Sequence, residues 1–210
     1  MSWRIDIKNK MRSLSPIELV MVEQSNREGG EETLGAGAEA LRLHIGGSEV
    51  KEGWKIMDVR EGPGVDFVGD CRDLSRFASE SVEIVYASHV YEHVSYLTEL
   101  PAAFCEVHRV LKPGGLFYVS VPDLAKLCEL FLRPDMNGNM RYKVMRMMFG
   151  GQTHEHDFHR AGLTMEFVEH LLGRAKFRRA ERVETFGLFE DTSILRFYGE
   201  LISLNVVATK

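Results

Sequence analysis

Residues 82–123 read VEIVYASHVYEHVSYLTELPAAFCEVHRVLKPGGLFYVSVPD, and this stretch decides the fold. VEIVYA is a short, apolar, β-branched run of the kind that forms a buried parallel strand. LFYVSV repeats the pattern after a segment with helical spacing that begins near Pro101. Together they read as a βαβ unit. Between helix and second strand, LKPGG at residues 111–115 is structural: the helix stops before Pro113, and Gly114 or Gly115 supplies the positive φ that re-enters the sheet. Polar residues follow each strand at once, with Ser88, His89, Glu92 and His93 after the first and Asp123 after the second. Both groups therefore fall at the carboxyl ends of parallel strands, where open α/β sheets bind ligands.

Working outward, a chain of 210 residues with 44% hydrophobic content is long enough for one domain with a substantial core. A net charge of −5 argues against a broad electropositive surface, so nucleic acid is not an expected partner. Cys71, Cys105 and Cys128 are scattered and odd in number, which fits reduced thiols in a cytoplasm better than a disulfide framework or a cysteine metal site. The N-terminal MSWRIDIKNKMRSL carries charges where a signal peptide needs its apolar core, and no later run approaches membrane-spanning length. The expected location is cytoplasmic, without membrane insertion.

Residues 1–40 read as an extension: an amphipathic helix around PIELVMVEQ, then the glycine-rich, polar SNREGGEETLGAGAEA as a flexible connection. The main domain spans 41–210. LRLHI, WKIMDV and VDFVG are its first three strand candidates, and the first crossover is unusually short. Helical segments are expected from Leu124 to Leu132, over RYKVMRMMF and over MEFVEHLLGRA, the last capped by Thr164. Two β-like runs, RVETFGLF and LISLNVVAT, close the chain.

The strand ends carry the candidate chemistry. Gly46 and Gly47 follow the first strand, where a missing Cβ lets backbone approach a ligand closely, and Ser48 is small and polar. Asp58 ends the second strand and Asp70 follows the third, so three consecutive strand ends bear groups suited to a nucleoside. The pattern is not G-x-G-x-x-G, which argues against a nicotinamide dehydrogenase.

The series LHIGG, WKIMDV, GDCRDL, VEIVYASHVYEH, RVLKPGG and SVPDL resembles the class I S-adenosylmethionine (SAM) dependent methyltransferases of the type 11 kind, over about Leu41 to the C-terminus. The resemblance implies a Rossmann-like α/β fold, doubly wound, with a sheet of about seven strands, mostly parallel with an antiparallel last strand. It implies SAM as cofactor and S-adenosylhomocysteine as product. Gly46, Gly47 and Ser48 would lie along the methionine part, Asp58 on the ribose, Asp70 with Cys71 at the adenine, and Ser88 and His89 beside the sulfonium. Two departures stand out: Ser48 replaces the second glycine of the usual G-x-G turn, and the first crossover has no room for the usual long helix. Chains of this kind also resemble a branch associated with sugar and surface-glycan modification.

Methyl transfer is an in-line displacement, so the protein mainly positions the acceptor and excludes water, and a hydroxyl acceptor gains from a base. His89 and His159 are the expected acceptor-side catalytic residues, for a small-molecule or glycan-like acceptor methylated at oxygen or nitrogen. The loop HEHDFH also has the residue types of a metal site, but its close spacing specifies no coordination geometry, and no metal ligand is assigned. Two other functions fit the same residues: a non-catalytic SAM-binding module that serves a partner protein, and a metal-dependent hydrolase using residues 154–159.

Overall fold

In the computed structural model, residues 41–210 are described, and the N-terminal extension expected over residues 1–40 lies outside them. The strands are β1 (Leu41–Ile45), β2 (Trp54–Asp58), β3 (Phe67–Val68), β4 (Val82–Ser88), β5 (Leu111–Pro122), β6 (Arg179–Val183), β7 (Arg196–Phe197), β8 (Glu200–Leu201) and β9 (Ser203–Thr209). The helices are α1 (Glu99–Val110), α2 (Leu124–Leu132), α3 (Gly138–Phe149) and α4 (Met165–Arg174). A seven-stranded sheet has the order β3-β2-β1-β4-β5-β9-β6, and β7 and β8 pair separately. The first five strands are parallel, while β9 runs antiparallel to both β5 and β6. The expected Rossmann-like mixed sheet with an antiparallel terminal strand is therefore the observed one.

Alternation along the strands builds two faces. Leu43 and Ile45 of β1, Val85 and Ala87 of β4, Phe117 and Val119 of β5, and Leu204 and Val206 of β9 all enter one core. On that side α1 contributes Phe104 and Val107, and α4 contributes Val168 and Leu171. The intervening residues His44, Trp54, Tyr86 and Tyr118 point the other way, onto an aromatic cluster closed by Phe186 and Phe189. Residues 184–195 thus cover this part of the sheet as a loop. Tyr86 Oη donates to Asp191 Oδ2 (2.8 Å), and Asn205 Nδ2 donates to the carbonyls of Glu184 and Ser193 (2.9 Å each).

Several expectations shift in detail. RVETFGLF was expected to be one strand, but pairing with β9 ends at Val183, and Phe186 and Phe189 turn onto Tyr86 instead. β5 starts within LKPGG: Leu111 already pairs with Val82, and a register shift passes through Gly114, whose φ is +78°. The helix before it starts at Glu99, which leaves Pro101 in the first turn where its missing N–H costs nothing. Thr164 occupies the cap position of α4 without a side-chain cap bond, whereas Asp123 and Asn137 cap α2 and α3 through the backbone N–H groups of Lys126 and Met140. No helix among the described residues is long and apolar enough to cross a membrane.

His44 is the polar exception inside the aromatic cluster. Its ring lies 4.2 Å from that of Phe189 and 4.8 Å from that of Tyr86, and Nδ1 has no hydrogen-bond partner among the described residues. Burial pushes its pKa from 6.5 down to about 4, against the weaker pull of Asp191. The unfolded chain takes up this proton near pH 6.5, and the folded chain does so only near 4. Stability from this group is complete above pH 6.5 and is lost progressively as pH falls toward 4. Urea denaturation between pH 7 and 5 should show that decline, and His44→Phe should flatten it.

Candidate active site

Strand order reverses between β1 and β4, and a cavity of about 440 Å³ opens over the carboxyl ends at that point. Gly46, Asp58, Asp70, Cys71 and His89 all line it. Its opposite wall is formed by residues 154–158 with Arg160, so the histidine-rich loop faces the same space as the strand ends.

Gly46 leaves β1 with φ +72°, and its N–H donates to the Met57 carbonyl (2.8 Å), joining the ends of β1 and β2. A Cβ there would sit 2.5 Å from Val90 Cγ2, so only glycine lets this turn lie against the turn after β4. Gly47 has a different neighbour. It packs on the His44 ring, where a Cβ would come within 2.5 Å, and it stands outside the cavity lining together with Ser48 and Ser88.

Asp58 is largely buried, accepts from the Arg60 N–H at Oδ1 (2.8 Å), and lies 3.5 Å from Arg60 Nε. Asp70 is held more tightly. Its Oδ1 accepts from the backbone N–H and Nε of Arg72 (2.9 Å each), its Oδ2 accepts from Nη2 (2.6 Å), and Arg72 Nη1 continues to Glu99 Oε1 (2.7 Å). Those Arg72 hydrogen bonds outweigh desolvation and hold the Asp70 carboxyl below its ordinary range. Next to it, burial and then the Asp70 charge push the Cys71 thiol up to about 12. Arg72 was not foreseen from sequence, although it stands two residues after Asp70.

His89 has φ +54°, a conformation uncommon for a residue with a Cβ. Its ring is fixed from both sides. Nε2 lies 2.9 Å from Ser203 Oγ, whose own proton goes to the Thr192 carbonyl (2.8 Å), so Nε2 carries the hydrogen and donates it. Nδ1 faces Glu92 Oε1 at 3.3 Å. That is an ion-pair distance without hydrogen-bond direction, and neither Glu92 oxygen has a hydrogen-bond donor among the described residues.

Glu92 sits in the 3-10 turn Tyr91–His93 directly after β4 and is 1% exposed. Its backbone carbonyl accepts from the N–H groups of Arg160 (2.7 Å) and Ala161 (3.0 Å), which brings the end of the histidine loop against the turn. His159 Nε2 then stands 4.0 Å from Glu92 Oε1, and the rings of His93 and His159 are 4.9 Å apart. Burial alone would raise the Glu92 pKa, but the His89 ring, with His93 and His159 behind it, reverses the direction and holds the carboxyl below its ordinary value. Burial lowers the His159 pKa and favours its neutral ring.

The two expected catalytic histidines therefore meet one carboxylate from different sides. His89 lines the cavity, whereas His159 does not and reaches it only through its neighbour His93. The loop itself divides. Asp157 accepts from the N–H groups of Gly151 (3.3 Å) and Thr153 (3.1 Å) and from Thr153 Oγ1 (2.7 Å), bonds that lower its pKa to about 2 and commit it to shaping the loop. His154 and His156 are exposed on the cavity side, their rings 6.4 Å apart. Sequence reasoning left Glu92 without a role, although its position three residues after His89 and beside His93 was a usable signal. Ser203 gave none, since only the β5–β9 pairing brings it to the site.

The sequence profile of the family described as "Methyltransferase domain" matches residues 35–119. No curated protein matches the chain in sequence. Among solved structures, an S-adenosylmethionine dependent methyltransferase from Mesorhizobium loti is similar, with TM-score 0.52 and 17% identity over 80% of this chain and 90% of the other. A SAM dependent methyltransferase from Archaeoglobus fulgidus superposes with TM-score 0.51 and 14% identity over 81% and 86%. The 1,6-didemethyltoxoflavin-N1-methyltransferase of Burkholderia thailandensis does so with TM-score 0.51 and 17% identity over 83% and 72%. At these identities the likeness establishes the fold alone, the Rossmann-like mixed sheet that the chain has in common with these methyltransferases.

The Cys71 environment has a direct chemical consequence. At pH 8, a thiol with a pKa near 12 holds about a thousandfold less thiolate than an unperturbed one. Maleimide labelling followed by peptide mass mapping should modify the exposed Cys105 and Cys128 and spare Cys71. Labelling of Cys71 at a comparable rate would contradict the packing around Asp70.

Proposed function

We propose that the chain is a cytoplasmic SAM-dependent methyltransferase that modifies a small-molecule or glycan-like acceptor at oxygen or nitrogen. The observation that carries this reading is the convergence of Gly46, Asp58, Asp70, Cys71 and His89, from four consecutive strand ends, on one cavity at the reversal of strand order. SAM supplies a methyl group on a positively charged sulfur. The residues present fit such a group: a turn without side chain at Gly46, a carboxylate at the end of β2 for ribose hydroxyls, and Asp70 with the Cys71 backbone for an adenine edge. Gly47 and Ser48 act here by shaping the first turn, and Ser88 by ending β4 beside His89.

The chain's own work is positioning and proton handling. His89 is fixed by Ser203 and faces both the cavity and Glu92, so a proton arriving at Nδ1 is met by a buried negative charge. That makes His89 the acceptor-side base of this reading. His159 stands across Glu92 and helps to hold that carboxylate, which makes it a positioning residue in methyl transfer. Residues 154–158 close the acceptor side, and their exposed histidines and Arg160 suit a polar, hydroxylated ligand. The glycan-like acceptor draws its support from the sequence resemblance, and the cytoplasmic setting from the three free cysteines.

Calorimetric titration with SAM and S-adenosylhomocysteine, with NAD as control, tests the proposal. Saturable binding of both sulfur nucleosides without NAD binding is expected. Asp70→Ala and Asp58→Ala should each weaken SAM by about 10-fold or more, the order lost with one hydrogen bond to a charged group, and Asp70→Ala should cost more. Folded protein that binds neither nucleoside would overturn the reading, and equal or reversed losses would move adenine away from Asp70.

A further inference from the structure

We propose that Glu92, His93 and His159 form a binding site for a divalent transition-metal ion of the zinc class at the inner wall of the cavity. One ligand atom from each residue lies within 4.8 Å of the other two. Ligands of a tetrahedral ion at about 2.0–2.1 Å stand roughly 3.3 Å apart, so rotation of side chains through about an ångström closes the set. Two imidazoles and one carboxylate are the donors of many catalytic zinc sites, and nitrogen donors in that number select against magnesium and calcium.

The geometry supports a ligand role for each member. Glu92 is the buried charge: it is 1% exposed, and both its oxygens lack hydrogen-bond donors among the described residues. A carboxylate so far from water calls for a cation. His93 Nδ1 lies 3.2 Å from the Phe158 carbonyl, which can only accept, so Nδ1 carries the proton and Nε2 is left as a free lone pair. A metal-binding histidine usually donates its other ring N–H to a carbonyl in this way, which fixes the tautomer and orients the ring. His159 turns Nε2 toward Glu92 Oε1 at 4.0 Å from the opposite side. The three residues are brought together by backbone bonds independent of any ligand, namely Arg160 and Ala161 N–H to the Glu92 carbonyl and His159 N–H to the Phe149 carbonyl (3.2 Å).

Three protein ligands leave a coordination position open, and His93 lines the cavity, so that position faces the space between the strand ends and the loop. There it would take an oxygen or nitrogen lone pair of an acceptor, a role that rests on the methyl-transfer reading; the metal site itself does not. The ion is held by the turn after β4 and by His159, and His154 and His156 take no part.

Tag-free protein is stripped with chelator, equilibrated with Zn²⁺ and analysed for bound metal, and a parallel sample is loaded with Co²⁺ for its visible spectrum. About one equivalent of Zn²⁺ per chain and the intense ligand-field bands of four-coordinate Co²⁺ are expected. Affinity should fall by at least about 10-fold in His93→Ala and in His159→Ala and stay unchanged in the double variant His154→Ala/His156→Ala. Circular dichroism establishes that each variant is folded; if either single variant unfolds, the Co²⁺ spectrum of the unmodified chain decides, and bands typical of six oxygen-rich ligands overturn the site. No binding, or binding lost only in the His154/His156 double variant, overturns it as well. SAM titration of the same samples separates the two proposals: metal binding without SAM binding leaves this site standing and removes the methyl-transfer reading, and SAM binding without metal does the reverse.

Discussion

The winding of the sheet changes direction between β1 and β4, and the rest of the molecule is arranged around that change. From β1 the chain proceeds outward through β2 to β3, then returns to place β4 on the other flank of β1. Connections leaving two adjacent strands in opposite directions cannot fill the space above their ends, and a crevice results from connectivity before any side chain is chosen. Glycine at the first turn, carboxylates at the second and third, and histidine at the fourth then fall around one cavity because they follow neighbouring parallel strands on the two sides of that reversal.

A buried carboxylate is the costliest group in this arrangement, and three histidines justify its place. The rings reach Glu92 by two routes: His89 and His93 from the segment directly after β4 that also carries Glu92, and His159 through the loop whose backbone is hydrogen-bonded to that segment. The same contact serves two ends. It pins a long polar loop that has little apolar surface of its own, and it sets negative charge beside the ring of His89, a residue that lines the cavity. His89 occupies a positive-φ conformation, and its ring is held by the hydrogen bond to Ser203 on one side and by the Glu92 charge on the other, which is how a strained residue is kept in place.

Most of the sheet could be read directly from sequence, since VEIVYA, LFYVSV, WKIMDV and LISLNVVAT are uninterrupted apolar runs bounded by turn residues. The strand-end residues Gly46, Asp58, Asp70, Cys71 and His89 were legible for the same reason, being fixed by position after each run. Misreadings arose where tertiary contacts decide. Phe186 and Phe189 sit in a β-like run yet fold over Tyr86, because an uncovered aromatic face offers them more burial than continued pairing would. Gly47 reads from sequence only as part of a ligand-binding turn, and its packing on the His44 ring is a tertiary contact that the local pattern does not announce. The grouping of Glu92 with His93 and His159 depends on two backbone hydrogen bonds between segments far apart in sequence, which no local pattern encodes.

The position of β9 carries a further consequence. It is the last strand in the chain, yet it lies inside the sheet, between β5 and β6, and its first residue is the serine that orients His89. During synthesis, β1 to β5 emerge in order and can pair as they appear, but β5 keeps an open edge until β9 arrives. The half of the crevice lined by Gly46, Asp58 and Asp70 can thus take shape early, while the His89 ring is fixed only when β9 inserts. Assembly order thus has a local consequence: a chain made only as far as β5 has the strand ends but lacks both the loop that walls the cavity and the hydroxyl that fixes the His89 ring.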